Sequence, residues 1–294
     1  MKRFTIAVLA DIHGNVPALE VVLEDLERVA PDEILVGGDL VGRGPEGSRV
    51  VRRIADLGWP SVRGNHEDYL LDFRRQQVPG EWFEADEWAA SRWMAEELSA
   101  DDAVYIASLP ASMTSRLAPE VRLVHGSPRS NNEGIGPWTA DHELEAHLRR
   151  IEESVLVCAH THRPLVRRLD QGLVVNVGSV GLPFNRDRRA QYTLFHSTRS
   201  GWEVELRRVE YDLSRIFEIY ETSGFLAQGG ITAQLLRMEL EQAMPFLVPF
   251  MRWARVHDLD PSPENLEAFL RIYDPSESLG AFFRRLEGAR KIKS

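Results

Sequence analysis

Phe4-Thr5-Ile6-Ala7-Val8-Leu9-Ala10-Asp11-Ile12-His13-Gly14-Asn15 is the stretch on which the reading of this chain turns. The apolar run Phe4–Ala10 is too short for a signal-peptide core and ends on polar residues, so it reads as a buried strand. At its end stand a carboxylate and an imidazole, one residue apart, followed by a glycine that lets the backbone turn. Alone, an Asp-x-His pair is most often chance. Its weight depends on whether the pattern recurs.

It recurs after four further apolar segments. Glu33–Val36 leads into Gly37-Gly38-Asp39-Leu40-Val41-Gly42-Arg43-Gly44, and Ser61–Arg63 into Gly64-Asn65-His66-Glu67. Val121–Val124 leads into His125-Gly126-Ser127-Pro128, and Val155–Cys158 into Ala159-His160-Thr161-His162. The intervening segments are amphipathic. Pro17–Val29 carries Ala18, Leu19, Val22, Leu23 and Leu26 on one helical face, and Glu46–Leu57 is a helix closed by Gly58. Strands alternating with helices predict a parallel sheet core. Ligands of open α/β sheets bind outside the carboxyl ends of the strands, so the five clusters are expected to converge on one crevice.

The residue types suggest what that crevice holds. Imidazole, carboxylate and amide carbonyl suit borderline divalent cations such as Mn, Fe, Zn or Ni. Asp11, His13, Asp39, Asn65, His125, His160 and His162 are too many ligands for one tetrahedral ion. They suit two ions sharing a carboxylate, about 3.5–4 Å apart. Arg43, Asn15 and Arg129 flank the motifs as candidate substrate contacts. Gly178 and Ser179 lie in a loop expected to support the ligands. His142 and His147 fall on a predicted helix away from the motifs and read as structural.

Composition bounds the alternatives. The chain has 294 residues, 43% of them hydrophobic, enough for a sizeable core. A net charge of −10 argues against a general nucleic-acid or membrane surface, although bound cations would invert the field inside a site. One cysteine, Cys158, allows no internal disulfide and points to a reducing compartment, the cytoplasm by expectation. No apolar stretch is long enough to span a bilayer.

The rest of the chain completes the organisation. Residues 65–109 read as helical and tryptophan-rich (Trp82, Trp88, Trp93), packed on the core or forming a cap over the site. Ser112–Leu117, Leu173–Val177, Gln191–His196 and Trp202–Val209 read as strands, with a helix over Ala140–Ile151. Past Asp212 the strands stop, and Asp212–Thr222, Thr232–Val256, Ser262–Tyr273 and Ser276–Ala289 read as helices. The expected division is a domain over 1–210, with a helical cap insertion at about 65–110, and a helical extension over 211–294. Leu235, Leu236, Leu240, Met244, Leu247, Phe250 and Met251 form an apolar stripe in that extension. It is expected to pack on the main domain, with a homo-oligomer interface or a lid as the alternatives.

In this order, Asp-x-His, Gly-Asp-x-x-x-x-x-Gly, Gly-Asn-His-Glu, His-Gly and His-x-His, the motifs resemble those of the calcineurin-like metallophosphoesterases over about residues 4–210. Asp11-Ile12-His13-Gly14-Asn15-Val16-Pro17-Ala18-Leu19 and Asn176-Val177-Gly178-Ser179-Val180-Gly181-Leu182-Pro183 resemble its bacterial branch of small predicted phosphodiesterases. The resemblance implies an α/β fold, a four-layer αββα sandwich of two mixed sheets flanked by helices. It implies that Asp11, His13 and His162 bind one divalent or trivalent metal ion, manganese foremost, and that Asn65, His125 and His160 bind a second. Asp39 would bridge them. His66 would stand at the scissile phosphate, stabilise its charge and protonate the leaving oxygen.

The implied reaction is hydrolysis of a phosphomonoester or phosphodiester, of a small molecule or nucleotide, by a metal-activated hydroxide. A protein serine/threonine phosphatase or dinucleoside-polyphosphate phosphatase is the alternative. The protein-phosphatase motif Gly-Asp-x-Val-Asp-Arg-Gly has aspartate where this chain has Gly42, which weakens that assignment. A second departure, Ala159 in place of the usual glycine, is a small change. A non-catalytic metal-binding scaffold for protein partners is disfavoured, because His66 accompanies every ligand.

Overall fold

Side chains of a strand alternate between its two faces, and in β1 (Thr5–Leu9) both faces are apolar. Ala7 and Leu9 pack on helices, whereas Ile6 and Val8 pack on a second sheet. The chain, seen in a computed structural model that describes residues 3–275 and 279–293, is therefore layered as helix, sheet, sheet, helix.

After β1 come α1 (Val16–Val29), β2 (Glu33–Val36), α2 (Gly47–Leu57), α3 (Asn65–Arg74), α4 (Ala89–Glu97) and α5 (Ala100–Ser108). Two short turns of 3₁₀ helix, Gly80–Phe83 and Asp86–Trp88, precede α4. Next are β3 (Ser112–Thr114), β4 (Val121–Val124), α6 (Asp141–Leu148), β5 (Val155–Cys158), β6 (Leu165–Leu169), β7 (Gly172–Asn176), β8 (Ala190–Thr198) and β9 (Gly201–Val209). The chain ends in α7 (Leu213–Thr222), α8 (Phe225–Gln242), α9 (Leu247–His257), α10 (Pro263–Leu270) and α11 (Leu279–Lys293).

One sheet has the order β2-β1-β8-β9, the other β3-β4-β5-β7-β6. The pairs β1–β2, β4–β5 and β5–β7 are parallel; β1–β8, β8–β9, β3–β4 and β6–β7 are antiparallel. Both sheets are thus mixed, as expected. Between them Ile6 and Val8 meet Leu123, Val157 and Val175, each worth about 1.5–3 kcal/mol when buried. On the outer face of the second sheet, Leu156 and Val174 are covered by Leu144 and Leu148 of α6.

Four sequence expectations need correction. Ser61–Gly64 forms only one bridge, Ser61 to Val36, because the chain turns at Gly64 into α3. Ser112–Leu117 shortens to β3, since the Ser115 hydroxyl accepts from Ala118 N at 3.0 Å and bends the chain. β6 lacked a strand signal because Arg167 and Arg168 interrupt its apolar pattern at the sheet edge. Thr232–Val256 is two helices, broken where Ala243 takes a left-handed φ of 50° ahead of Pro245. The start of the expected Ser276–Ala289 helix lies outside the described residues; α11 runs from Leu279.

The C-terminal helices serve two cores. Ile216, Tyr220, Phe225, Leu236 and Leu240 join the main core. Leu235, Met244, Phe250, Trp253, Phe269 and Phe282 form a separate aromatic cluster. Among the described residues, no helix is long and apolar enough to cross a membrane.

Candidate metal centre

The strand ends deliver their polar residues in an unusual backbone conformation. Asp11, His13, Asp39, His160 and His162 all have positive φ, between 52° and 66°. The left-handed region costs about 1–2 kcal/mol per residue, and Asp and His are among the types that enter it most readily. Such strain persists only where surrounding bonds enforce it. Here the loops after β1 and β2 are zipped together: Asp11 N donates to Gly38 O at 3.0 Å, Ile12 N to Asp39 O at 2.9 Å and Gly14 N to Leu40 O at 3.0 Å. Glu67, fully buried, accepts from Asp39 N at 2.9 Å, Leu40 N at 2.7 Å and Gly64 N at 2.7 Å, which ties the second motif to the third. The Ser179 hydroxyl donates to Asp11 O at 2.8 Å and accepts from Leu182 N at 2.8 Å. Asn176 Nδ2 donates to Ala159 O at 2.6 Å and holds the turn that carries His160 and His162.

The polar atoms left at the centre cannot satisfy one another. His13 Nδ1 faces the carbonyls of Val41 (3.1 Å) and Gly42 (3.2 Å), His162 Nδ1 faces Leu182 O, and His125 Nδ1 faces Gly37 O at 2.8 Å. A carbonyl only accepts, so Nδ1 carries the hydrogen in each ring and the neutral ring presents a lone pair at Nε2. Yet His13 Nε2 and His162 Nε2 lie 3.0 Å apart. His125 Nε2 lies 2.9 Å from Asn65 Oδ1 and 3.3 Å from Asp39 Oδ2. Asp11 Oδ1 and Asp39 Oδ2 are buried and, with the rings neutral, meet no hydrogen-bond donor among the described residues. Asp11 Oδ1 stands 3.4 Å from His162 Nε2, and Asp39 Oδ2 stands 3.7 Å from His13 Nε2. Lone pairs and carboxylate oxygens this close repel unless positive charge lies between them. An unsatisfied buried polar atom costs about 1–3 kcal/mol, and more when charged.

The pKa shifts report the same field. Burial alone pulls His125 down, but the Asp39 carboxylate outweighs it and pushes the ring up to about 10. Asp39 thus favours positive charge at His125 Nε2, where the neutral ring would present its lone pair. Burial lowers His13, and it takes His160 down to about 4. Both rings are therefore neutral donors of a lone pair, the form that ligates metals.

The candidate ligand atoms form two groups. Those of Asp11, His13, Asp39 and His162 lie within 4.8 Å of one another, as do those of Asp39, His125 and His160. Asp39 belongs to both groups. Asn65 Oδ1, 2.8 Å from His160 Nδ1 and 2.9 Å from His125 Nε2, adds a neutral oxygen to the second. All seven residues named from the motifs are thus brought together.

His66 follows at the start of α3, where its backbone N donates to Asp39 Oδ1 at 2.9 Å. Its ring stands edge-on to His13, centroids 5.0 Å apart, and lies directly over Gly42. A Cβ on Gly42 would fall 2.4 Å from His66 Nδ1, and Gly42 has φ of 80°. Arg43 Nε donates to His66 Nε2 at 3.2 Å, while its Nη1 pairs with Glu239 Oε2 at 2.7 Å. Burial, with Arg43 adding to it against the pull of Asp39, takes His66 down to about 3.

The three candidate substrate contacts fare differently. Arg43 lines a cavity of about 960 Å³ that opens on Asp39, Asn65, His66, His160 and His162. Asn15 is buried and spent: its Oδ1 caps α1 by accepting from Ala18 N at 3.1 Å, and its Nδ2 donates to Gly181 O at 2.9 Å and Tyr211 Oη at 3.0 Å. Arg129 is bound to Glu133 and lines a different cavity, outside the large one. Both residues follow a motif in sequence, but the chain turns away before their side chains reach the crevice. Glu239 had no sequence signal. It lies on an ordinary amphipathic helix, 196 positions from Arg43, and only the fold pairs them. Glu67 was visible within its motif, though not as the clamp it proves to be.

Comparison with known proteins agrees with this geometry. Residues 4–200 match the calcineurin-like phosphoesterase superfamily domain. An uncharacterized protein of Methanocaldococcus jannaschii is 26% identical over 236 residues, 74% of this chain and 92% of that one. The crystal structure of a metallophosphoesterase from Sphaerobacter thermophilus superposes with a TM-score of 0.67 at 27% identity, covering 82% of this chain and 99% of that chain. A hypothetical protein from Pyrococcus horikoshii OT3 shares the fold, with a TM-score of 0.68 at 23% identity and the same coverage.

Proposed function

Since the chain belongs to the calcineurin-like phosphoesterase superfamily and is a hydrolase of phosphate esters, we propose that its centre is dinuclear and acts on a small phosphomonoester or phosphodiester. In this reading Asp11, His13 and His162 hold one metal ion, Asn65, His125 and His160 hold the other, and Asp39 bridges them. The observation that carries it is the pair of buried, unpartnered carboxylate oxygens, Asp11 Oδ1 and Asp39 Oδ2, set among imidazole lone pairs. When bound, two divalent ions supply the charge that acidifies water and neutralises phosphate oxygens.

The protein's own residues do the rest. The zipped loops hold the ligands in place before metal arrives, so little reorganisation accompanies the reaction. His66 is the group assigned to the leaving oxygen. Its ring is neutral in the free protein, held so by burial, and because Arg43 Nε donates to Nε2 the ring's hydrogen sits on Nδ1, the one it can give to the leaving oxygen. Arg43, held by Glu239, fixes the ring orientation through His66 Nε2. Gly42 stands where the protein-phosphatase motif has aspartate, and a side chain there would meet the His66 ring.

The test is hydrolysis of p-nitrophenyl phosphate and its bis ester by protein loaded with Mn²⁺, with metal content measured on the same sample. Turnover with two ions per chain, abolished by chelation, is the expected result. His66→Ala should keep both ions and lose on the order of 10²-fold or more in kcat. Wild-type turnover in that variant would remove His66 from the mechanism, and two bound ions with no ester hydrolysed would remove the catalytic reading.

A further inference from the structure

The cavity beside the centre, about 960 Å³, is far larger than a phosphate group needs. Away from the candidate ligands much of its wall is apolar: Trp88 and Met94 on one side, Leu236 of α8 above, and Leu247, Met251 and Val256 of α9 opposite. Several polar groups along this wall are engaged within the protein, while Ser91, Arg163 and Arg252 also line the cavity. Thr232 Oγ1 accepts from Ala90 N at 3.2 Å and donates to Gly229 O at 2.8 Å. Trp88 Nε1 donates to Glu87 Oε1 at 3.0 Å. Glu239 is occupied by Arg43 and by the amides of Phe246 and Leu247. Arg255 stands at the rim, its side chain 76% exposed.

A sugar or a base laid along the apolar part of this wall would leave its own polar groups unpaired, which burial penalises. An alkyl chain loses nothing there and gains from burial. The flexible Met94 and Met251 side chains suit a ligand of variable shape. We propose, building on the phosphoesterase reading, that the substrate is an amphiphile. Its phosphate ester lies at the Asp39 centre and its long alkyl or acyl chain runs along the groove between α4, α8 and α9. The C-terminal helices then select the substrate, by supplying the apolar wall that the metal-binding loops lack.

Binding and turnover test this separately. n-Alkyl phosphates from methyl to decyl, below their micellar concentrations, are titrated calorimetrically into Mn²⁺-loaded protein, with p-nitrophenyl phosphate hydrolysis run in parallel. Each methylene that enters the groove should tighten Kd by roughly three- to fourfold. Met251→Glu and Val256→Glu, at half-buried wall positions, should flatten that dependence. A Kd independent of chain length, tighter binding of a nucleoside monophosphate than of octyl phosphate, or an unchanged slope in both variants would each overturn the proposal. If p-nitrophenyl phosphate is still hydrolysed, the phosphoesterase reading survives that failure. A steep chain-length dependence without hydrolysis of any ester would support the groove and sink the phosphoesterase reading instead.

Discussion

At the scale of single residues, Gly42 shows how one position can carry both a fold constraint and a functional one. Its φ of 80° disfavours any side chain, and a Cβ would meet the His66 ring at 2.4 Å. Gly42→Ala is therefore expected to destabilise the protein by about 1–3 kcal/mol, from overpacking and a strained φ together. Because His66 must move, kcat should fall at least tenfold while metal content stays at the wild-type level. Gly42→Asp, which supplies the aspartate of the protein-phosphatase motif, should do the same and confer no phosphopeptide hydrolysis. Urea denaturation, metal analysis and steady-state kinetics on the two variants decide the matter; full activity in either would show that the ring does not need this contact. The residues that meet in the crevice were legible at this scale because their signal is local: side chains of ligand type, a strand before them, a glycine beside them. Asn15 and Arg129 were not, because sequence adjacency to a motif does not say which way a side chain leaves the turn. Asn15 points back to cap α1, and Arg129 turns to Glu133.

At the scale of elements, two helices carry acids withdrawn from water, one fully and one partly, with opposite consequences. Glu239 on α8 is fully buried and satisfied by Arg43 and two backbone amides. Removing one partner of such a pair leaves the other charge uncompensated, so Glu239→Ala should cost about 3–5 kcal/mol, discounted somewhat because the Arg43 side chain is 15% exposed. It should also loosen Arg43 from His66 and lower kcat more than it raises KM. A variant with wild-type kcat and reduced stability would make Glu239 purely architectural. Glu97 on α4 is the contrary case. It accepts from Ser48 N at 2.9 Å near the start of α2, but burial dominates and pushes its pKa up to about 7. The folded state thus holds this proton more tightly than the unfolded chain. Its contribution to stability is complete below the ordinary glutamate pKa and is lost as pH rises through about 7. Glu97→Gln should therefore raise Tm at pH 8 by about 2–4 °C and leave it nearly unchanged at pH 5, the size expected for ~1 kcal/mol in a chain of this length. Scanning calorimetry at the two pH values checks it, and an equal shift at both would point to something other than titration. Helix existence was legible here from periodicity, but the break at Ala243 was not. The apolar stripe runs unbroken from Leu235 to Met251, and Glu239, which reaches across the break to Phe246 N, lies off that pattern.

At the scale of the whole molecule, the change in composition near residue 210 marks where strands end, and the core continues past it. Ile216, Tyr220, Phe225, Leu236 and Leu240 are buried in the same cluster as Leu19, Val22 and Met94. Alternating strands and helices pointed to a parallel sheet with a crevice at its strand ends, because that pattern is written in each segment; the two mixed sheets of the layered fold followed only from the family resemblance. The role of the last helices could not be read, because an amphipathic helix carries no record of which surface it covers. Energetics turns this into a prediction. Burying each large apolar side chain contributes about 1.5–3 kcal/mol, while a domain retains only about 5–15 kcal/mol of net stability. A chain ending at residue 210 loses all five of those side chains and exposes the faces they cover on α1 and α4. It also loses Glu239 and Tyr220, whose hydroxyl donates to Arg43 O at 2.8 Å, so Arg43 keeps neither anchor. The shortened protein is expected to lack a cooperative urea transition, to bind a hydrophobic dye in water, and to lose turnover. Those three readouts come together only if α7 and α8 belong to the catalytic unit. A cooperative transition with undiminished turnover of p-nitrophenyl phosphate would instead make the helices a separable module, and selection of the substrate their sole task.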